Sequence, residues 1–357
     1  MKILAIESSC DDTSVALIEA KGNNFKILSE KTASQIEVHK KYGGVVPEVA
    51  GRMHAENILP LIEEVMTKKL TRPTKLTRLT KKEIEKPDVI AVTSGPGLIT
   101  GLIVGVEAAK TLSYLWDVPL VAVNHIEGHI HSVEIEKSNV RCQMSDVLCL
   151  TVSGGHTELI LMKDHGKYER IGATRDDAAG ECFDKVAKLV GFDYPGGPKI
   201  SEFAQKGNPD EIDFPRPMLN SDNFDFSFSG LKTAALYWLK KQTPDFRLQT
   251  SEMQNFCASF EQAIIDVLVQ KTLRAVEKYN PKTVLLVGGV SANKKLRKTM
   301  KQELKNKFPS CEFLTPDIKY AMDNAAMIGV AAYYHAKEKE FVSWKDVKAD
   351  PNWRLVS

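Results

Sequence analysis

The chain has 357 residues, of which 43% are hydrophobic and 26% are charged, and its net charge is +2. These values are typical of a folded protein of about two domains, and they exclude extensive disorder. With so small a net charge, binding of a nucleic acid would require a local basic patch.

The cysteines and the hydropathy indicate a reduced, soluble protein. The six cysteines are scattered, with no Cys-x-x-Cys pair, which argues against a zinc ribbon, an iron–sulfur site or a disulfide scaffold. The first apolar run is interrupted at Glu7, unlike a signal peptide, and no run of about 18 uncharged apolar residues predicts a membrane helix. We therefore expect a cytoplasmic protein without a membrane partner.

Each half of the chain contains the same series of predicted elements: a hairpin with a polar or glycine-rich turn, then a strand, a glycine turn and a helix. The strands of this series are predicted at 2–6, 14–18 and 87–92 in the first half and at 147–152, 159–162 and 281–287 in the second. A duplicated α/β unit explains this order better than coincidence, and it would leave a nucleotide-sized cleft between the copies. We place the boundary near residue 127, which predicts domains 1–127 and 128–357.

Two basic runs stand out from the nearly neutral chain. Segment 68–86 carries eight Lys and Arg residues against two Glu residues, and run 294–307 covers most of one predicted helix. Such a run is usually a solvated face, and an RNA-facing patch is the alternative. We interpret 68–86 as an insertion in the first domain.

The stretch VNHIEGHIHS places His125 and His129 four residues apart, just after a strand-like run. On a helix, both imidazoles would project from one face, close enough to bind one metal ion. Asp323 opens a later small-residue helix, either as its N-cap or as a carboxylate that completes a divalent site for iron or zinc. The alternative for the histidines is an ordinary helix face. Glu127 stands one place late for the H-E-x-x-H signature, so we expect it to point away from the metal.

Two glycine turns could bind an anion. Ser153-Gly-Gly-His156 lies between two predicted strands, where exposed backbone N–H groups could face a phosphate or where the turn simply closes a hairpin. Gly288-Gly289 lies at a strand-to-helix junction, whose helix N-terminus favours phosphate. Asn293, at the end of that turn, either binds a ribose or base or caps the helix.

Three further carboxylates have both a chemical and a structural interpretation. Asp11 and Asp12 lie in a polar turn, where they could orient a nucleophile, act as a base, hold a cation or close an Asx turn. Asp184 lies in a helix predicted at about 178–190, capped by Asp176 or Asp177, and could pair with Lys188.

Ten segments together resemble one family, the tRNA threonylcarbamoyladenosine transferases of the bacterial TsaD type, formerly called O-sialoglycoprotein endopeptidases. They are IESSCDDTSVA, KYGGVVPEVAGR, SGPGLITGLIVG, VNHIEGHIHS, VSGGHTEL, DDAAGECFDKVAKLVG, YPGGP, FPRP with DFSFSGLKTA, GGVSANKKLR and MDNAAMIG. They run from Ile6 to Gly329 in the family's order. The resemblance implies duplicated actin-like ATPase domains (the ASKHA, ribonuclease H-like fold) with a cleft between them.

The resemblance also implies a role for each matching residue. The metal ligands would be His125, His129 and Asp323; the nucleotide- and substrate-binding residues Thr151, Val152, Ser153, Gly154, Gly155, Asp184, Gly197 and Asn293; and the catalytic acidic pair Asp11 and Asp12. The cofactor would be one divalent metal per chain, Fe²⁺ in preference to Zn²⁺. Archaeal relatives have a tyrosine ligand at the position of Thr151, which leaves the fourth ligand open. Segment 68–86 is longer than the family pattern.

The implied reaction transfers a threonylcarbamoyl group from threonylcarbamoyl-AMP to the N6 amine of the adenosine beside the anticodon, in tRNAs reading codons that begin with A. ATP, ADP or AMP are further expected nucleotides. The expected partners are tRNA, a paralogous TsaB-like subunit and a small TsaE-like ATPase, with a TsaC-type enzyme supplying the donor. The alternatives are a metalloprotease and a non-catalytic ATP-binding scaffold subunit.

Overall fold

The computed structural model describes residues 1–67, 86–135, 144–242 and 249–356, and it contains two five-stranded sheets with helices on both faces. The strands are β1 (Lys2–Glu7), β2 (Asp12–Lys21), β3 (Asn24–Ser34), β4 (Val89–Gly95), β5 (Leu120–Asn124), β6 (Val147–Val152), β7 (Thr157–Asp164), β8 (Lys167–Ala173), β9 (Thr283–Val287) and β10 (Glu312–Leu314). The α-helices are α1 (Ile36–His39), α2 (Pro47–Thr67), α3 (Ile99–Trp116), α4 (His125–His131), α5 (Ala179–Leu189), α6 (Gly196–Ala204), α7 (Ser229–Gln242), α8 (Thr250–Tyr279), α9 (Lys294–Lys307) and α10 (Ala325–Lys337).

The two sheets have the same connectivity. In the first, β1 pairs antiparallel with β2 and parallel with β4, and the strand order is β3-β2-β1-β4-β5. In the second, β6 pairs antiparallel with β7 and parallel with β9, and the order is β8-β7-β6-β9-β10. The duplication predicted from the sequence is therefore confirmed strand by strand. We call each sheet with its covering helices a lobe.

The first sheet is buried on both faces, which explains why β1 and β4 are almost continuously apolar. One face packs against α2 and α3 through residues such as Leu4, Ile58 and Val106. The other face packs against α10, where Ala5 and Met327 belong to one core. Although α10 comes near the end of the chain, it covers the first lobe.

The second sheet is covered by α5 to α9 on one face, in a core that contains Leu150, Phe183 and Phe260. Its other face packs on α4 through Ile126 and Ile130. Helix α4 also touches α10 closely: a Cβ added at Gly128 would lie 2.7 Å from Cδ1 of Ile328. Helix α4 therefore lies between the second sheet and α10, at the junction of the two lobes.

Some local predictions need correction. Helix α5 has Ala178 as its N-cap residue, so the predicted caps at Asp176 and Asp177 are wrong. The Asp176 carboxylate instead accepts hydrogen bonds from the backbone N–H groups of Phe228 (2.8 Å) and Ser229 (3.2 Å), at the start of α7.

Most of the predicted basic insertion, residues 68–85, lies outside the described residues. Among the helices of the described part of the chain, none is both long enough and apolar enough to cross a membrane. The boundary at residue 127 stays a prediction.

Candidate functional site

Helix α4 begins at the carboxyl end of β5, where parallel sheets commonly present ligand-binding residues. Asn124 ends the strand, and its side-chain oxygen accepts a hydrogen bond from the Ile126 N–H at 2.9 Å. This N-cap starts the helix at His125. One turn later, His129 follows on the same face.

The two histidines meet Asp323, which precedes α10. The Nε2 atoms of His125 and His129 lie 3.5 and 3.2 Å from Oδ1 of Asp323. One ligand atom from each of the three residues can be chosen so that all lie within 4.8 Å of one another. Asn324, whose oxygen accepts from the Met327 N–H at 2.9 Å, is the N-cap of α10. The N-cap role considered for Asp323 is therefore wrong, and its carboxylate faces the histidines.

The chemistry of this cluster fits a divalent metal. His129 is completely buried, and its Nδ1 has no hydrogen-bond partner among the described residues. Its Nε2 lies 3.2 Å from the Asp323 carboxylate without the geometry of a hydrogen bond. A buried polar atom without a hydrogen bond is costly, and a metal ion at Nε2 would satisfy that nitrogen. Two imidazoles and one carboxylate are a donor set that suits iron or zinc and leaves coordination positions open.

Glu7, at the end of β1, is a functional residue that the sequence analysis missed. It is completely buried, and it accepts hydrogen bonds from the Ser9 N–H (2.6 Å) and the Thr93 hydroxyl (2.7 Å). Its Oε2 also lies 3.0 Å from Nδ1 of His125. The Nδ1–H group of His125 can donate a hydrogen bond to this carboxylate. That tautomer leaves Nε2, on the side of Asp323, as the atom that would bind a metal. The signal in the sequence that could have identified Glu7 is a charged residue directly after a run of apolar strand residues.

Electrostatics hold these groups together. Burial disfavours the His125 cation, but the carboxylates of Asp323 and Glu7 outweigh it and raise the pKa of His125 to about 9. Burial likewise opposes ionisation of Asp323, yet the two histidines bring its pKa below the ordinary value. At neutral pH the Asp323 carboxylate is thus ionised, as metal ligation requires, whereas His125 would release its Nε2 proton on binding a metal.

Glu127 faces away from the cluster, as predicted. Its carboxylate accepts a hydrogen bond from the Tyr168 hydroxyl at 2.9 Å and lies 2.8 Å from Nε2 of His335. Tyr168 belongs to β8, and His335 lies in the last turn of α10, whereas Asp323 precedes the first turn of that helix. A zinc-protease arrangement, with the glutamate beside the metal, is therefore absent.

The glycine turn between β6 and β7 adjoins the metal cluster. The Ser153 N–H donates to the His156 carbonyl at 2.8 Å and closes the turn. Gly154 and Gly155 are exposed, and a Cβ added at either would meet no described atom within 4 Å. The imidazole of His156 lies 6.5 Å from that of His125, centroid to centroid, and burial lowers its pKa to about 4, with the two neighbouring histidines acting in the same direction. The turn therefore presents open backbone beside the metal site.

Two predicted nucleotide-binding residues precede this turn. Thr151 and Val152 are buried at the end of β6. The Thr151 hydroxyl lies 3.6 Å from the sulfur of Cys149. Gly180, at the start of α5, donates to the Ser153 carbonyl at 3.2 Å, which brings the helix N-terminus under the turn.

Asp184 has partners other than Lys188, the structural alternative considered for it. Its Oδ1 accepts from the N–H groups of Gly196 (2.7 Å) and Gly197 (3.2 Å), at the N-terminus of α6. Burial raises the pKa of Asp184, against these two hydrogen bonds, and Asp11 adds to the rise. Asp184, Gly197 and Asp11 therefore belong to one neighbourhood.

The acidic pair, Asp11 and Asp12, lies in the same neighbourhood, and its two members differ in their surroundings. Oδ2 of Asp11 accepts a hydrogen bond from the hydroxyl of Tyr194, in the other lobe, at 3.1 Å. Oδ1 of Asp12 is buried without a hydrogen-bond partner among the described residues. Burial raises the pKa of Asp12 to about 7; Ser34 opposes this through a hydrogen bond, whereas Asp11 and Asp323 reinforce it.

Asn293 shows the capping interaction. Its oxygen accepts from the Leu296 N–H at 2.9 Å, and its nitrogen donates to Glu261 (2.7 Å) and Ser201 (3.0 Å). All its polar atoms are thus engaged within the protein, and contact with a ribose or base stays a prediction.

Relatives with similar sequences cover nearly the whole chain. A family model described as TsaD, tRNA N6-adenosine threonylcarbamoyltransferase, matches residues 26–330. Proteins of that name from Kosmotoga olearia and Enterococcus faecalis are 44% and 43% identical to this chain in sequence. The first match covers 100% of both chains; the second covers 98% of this chain and 94% of the relative.

Solved structures agree on the fold. Full-length HypF in its phosphate- and nucleotide-bound form superposes with a TM-score of 0.60 at 15% identity, over 96% of this chain and 56% of HypF. Component A of the (R)-2-hydroxyglutaryl-CoA dehydratase of Acidaminococcus fermentans gives a TM-score of 0.50 at 14% identity, over 94% and 99% of the two chains. The expected duplicated actin-like fold is confirmed, and the sequence relatives confirm the resemblance. The chain belongs to the family of tRNA N6-adenosine threonylcarbamoyltransferases.

Proposed function

We propose that this chain transfers the threonylcarbamoyl group of threonylcarbamoyl-AMP to the N6 amine of the anticodon-adjacent adenosine, in tRNAs reading codons that begin with A, and releases AMP. Family membership supports the reaction. The observation that supports the location of the active site is the group of buried His125, buried His129 and half-buried Asp323, between the glycine turn and the acidic pair.

The donor is an activated mixed anhydride, so the site has to exclude water, stabilise an oxyanion and help AMP to leave. A divalent ion on the three ligands, Fe²⁺ in preference to Zn²⁺, would supply a Lewis acid for the carbamoyl oxygen and an anchor for the donor. Glu7 would keep His125 in the tautomer that presents Nε2.

The turn at Ser153 to Gly155 is the proposed phosphate or oxyanion cradle. Its glycines are open to a ligand, and the N-terminus of α5 lies beneath it. Partial positive charge at a helix N-terminus and exposed N–H groups both favour an anion. Thr151 and Val152 would line the same edge.

Asp184, Gly197 and Asn293 are the proposed contacts for the rest of the nucleotide, including ATP, ADP or AMP. Asp184 uses one oxygen to bind the α6 N-terminus, so its second oxygen is the atom that would face a ribose. Asn293 would have to exchange one of its internal hydrogen bonds.

Asp12 is the proposed proton acceptor for the attacking amine. A pKa of about 7 matches a base that works near neutral pH. Asp11, bound to Tyr194, would instead hold the two lobes in register around the substrates.

The chain would modify tRNA together with partner proteins. Bulky apolar side chains are exposed on the neighbouring helices α2 and α3, with Leu59 65% and Tyr114 62% exposed, and we assign this surface to a paralogous TsaB-like subunit. A TsaE-like ATPase and an upstream TsaC-type enzyme would complete the system.

Reconstitution tests the proposal. The metal-loaded chain is mixed with synthetic threonylcarbamoyl-AMP, unmodified tRNA and the partner proteins, and the modified nucleoside is measured by mass spectrometry. We expect transfer with wild type and its loss with His129→Ala, together with loss of metal from a protein that remains folded. Proteolysis of a test substrate without transfer would indicate the metalloprotease alternative. Nucleotide binding without metal or transfer would indicate the scaffold alternative.

A further inference from the structure

A cavity of about 190 Å³ lies between α4, the β7–β8 hairpin and the last residues of the described chain. Its polar wall includes His156, Glu158, Arg170 and Arg354, and Trp353 closes one side. Whole small-molecule ligands usually occupy about 300–1,000 Å³, so this cavity suits one amino-acid-sized group.

The C-terminal tail that forms one wall is fixed to both lobes. The Asp350 N–H donates to the Ser94 carbonyl at 2.7 Å, and the Asn124 side chain donates to the Trp353 carbonyl at 3.3 Å. Leu355 packs against the core between α4 and the second sheet. These contacts hold Arg354 at the mouth of the cavity.

The cavity has one positive charge in excess. Arg170 is paired with Glu158 at 3.2 Å. Arg354 lies close enough to lower the pKa of Glu158, against the larger effect of burial, yet it has no carboxylate within ion-pair distance among the described residues. Two guanidinium groups therefore face one carboxylate.

The cavity also adjoins the metal cluster. His156 lines the cavity, and its ring lies 6.5 Å from that of His125. Ile126, the residue after the first metal ligand, lines the cavity as well. A donor whose carbamoyl carbon lies at the cluster and whose AMP lies along the glycine turn has one further charged end, the free carboxylate of its threonyl group.

We propose that this cavity is the subsite for the threonyl end of the donor, and that Arg354 binds its carboxylate. The inference rests on the proposed function. A guanidinium can make two parallel hydrogen bonds to a carboxylate, and Glu158 can accept one from the threonyl hydroxyl. The C-terminal tail is then part of the substrate site.

The test uses N-carbamoyl-L-threonine as a probe, because it carries the threonyl end without the nucleotide. Calorimetry on the metal-loaded full chain measures its affinity and, separately, that of AMP. We expect Arg354→Ala to weaken the probe at least tenfold and to change AMP affinity and metal content less than twofold. Arg354→Lys should have an intermediate affinity for the probe, because the positive charge remains but the two parallel hydrogen bonds of the guanidinium are lost. Lys348→Ala, an exposed charge on the same tail, is the matched control and should bind like wild type.

Equal probe affinity in wild type and Arg354→Ala would overturn the subsite, as would failure of wild type to bind the probe at millimolar concentration. Equal weakening of probe and AMP in Arg354→Ala would also overturn it. Failure of the proposed function looks different: the reconstituted wild type then makes no modified tRNA, whatever the probe does. In an active system, an unchanged KM for the donor in Arg354→Ala would reject the subsite and leave the transferase function intact.

Discussion

Glu7 determines which nitrogen of His125 is available to a metal, although it would not touch the metal itself. The Nδ1 side of the ring lies 3.0 Å from the Glu7 carboxylate and 3.1 Å from the Ser9 hydroxyl, and the Nε2 side faces Asp323. A carboxylate in this position fixes ring orientation and raises ligand basicity. The strength of metal binding should therefore depend on it.

Glu7→Gln should lower metal affinity by about 10- to 100-fold, the usual effect of losing such a partner. Competition with a chromophoric chelator measures this directly, without the reaction. Glu127→Gln is the control, because that carboxylate is also buried and lies on the other face of α4. It should retain metal and keep transfer within a few-fold. Unchanged affinity in Glu7→Gln would show that the ligand geometry is set without the carboxylate.

Asp12 should give the reaction a pH dependence. With a raised pKa of about 7, its carboxylate is protonated below that pH and ionised above it. If the ionised form accepts the proton, kcat/KM should rise with pH up to about 7 and then level off. Asp12→Asn should be slower and lack this inflection, whereas Asp11→Asn should keep it. The same inflection in Asp12→Asn would assign the titration to another group.

The turn after β9 depends on a backbone conformation restricted to glycine. Gly288 has φ 87° and ψ 166°, a region that other residues essentially never occupy. A Cβ there would lie 2.5 Å from the Val152 carbonyl oxygen, in the strand that leads to the glycine turn. Strands β6 and β9 can therefore carry their turns side by side only because this position lacks a side chain.

Gly288→Ala should destabilise the fold by roughly 2 kcal/mol or more, from strain and collision together. Gly191→Ala is the matched control: its φ is also positive, at 81°, but the added Cβ would meet no described atom within 4 Å. It should cost only about 1 kcal/mol. Urea unfolding followed by circular dichroism compares the two. Equal losses would mean that the Val152 contact relaxes without cost.

Local pattern was enough to predict the repeated strands and the histidine pair, because both depend on short-range periodicity. The partners of Asp184 could not be predicted in this way, since the two N–H groups that it accepts belong to the next helix. Asn324 caps α10 although Asp323 is an equally good capping residue, because the Asp323 carboxylate is directed to His129, a contact that is distant in sequence. The docking of α10 on the distant first sheet leaves no local signal in an alanine-rich helix.

Binding of tRNA should depend on local basic surface, because the net charge of the chain is only +2. Lys298, Lys301 and Lys305 are exposed on α9, which starts at the Gly288–Asn293 turn. We expect their replacement by Ser to reduce the slope of log affinity against log salt by about 0.9 for each lost duplex phosphate contact. A salt series with unmodified tRNA measures the slope. The comparison set is Lys75, Arg78 and Lys82, which lie outside the described residues; a change confined to that set would assign the contact to the insertion.

Turnover should depend on partner proteins. With Leu59 and Tyr114 largely exposed on α2 and α3, we expect the isolated chain to show little turnover and a TsaB-like subunit to restore it. Leu59→Glu should reduce partner binding by more than tenfold in a titration and leave metal content unchanged. Robust multiple turnover by the chain alone would contradict this expectation.

The position of α10 has a consequence for biosynthesis. The first lobe emerges from the ribosome first, yet one face of its sheet is covered by residues 325–337, near the end of the chain. At a translation rate of about 5–20 residues per second, roughly 10–40 s pass between synthesis of the last strand of the first sheet and synthesis of α10, and the face stays exposed for that time. Nascent chains that stop before residue 325 should therefore be retained by holdase chaperones or aggregate. Only after residues 325–337 have been translated can the first lobe bury its apolar face.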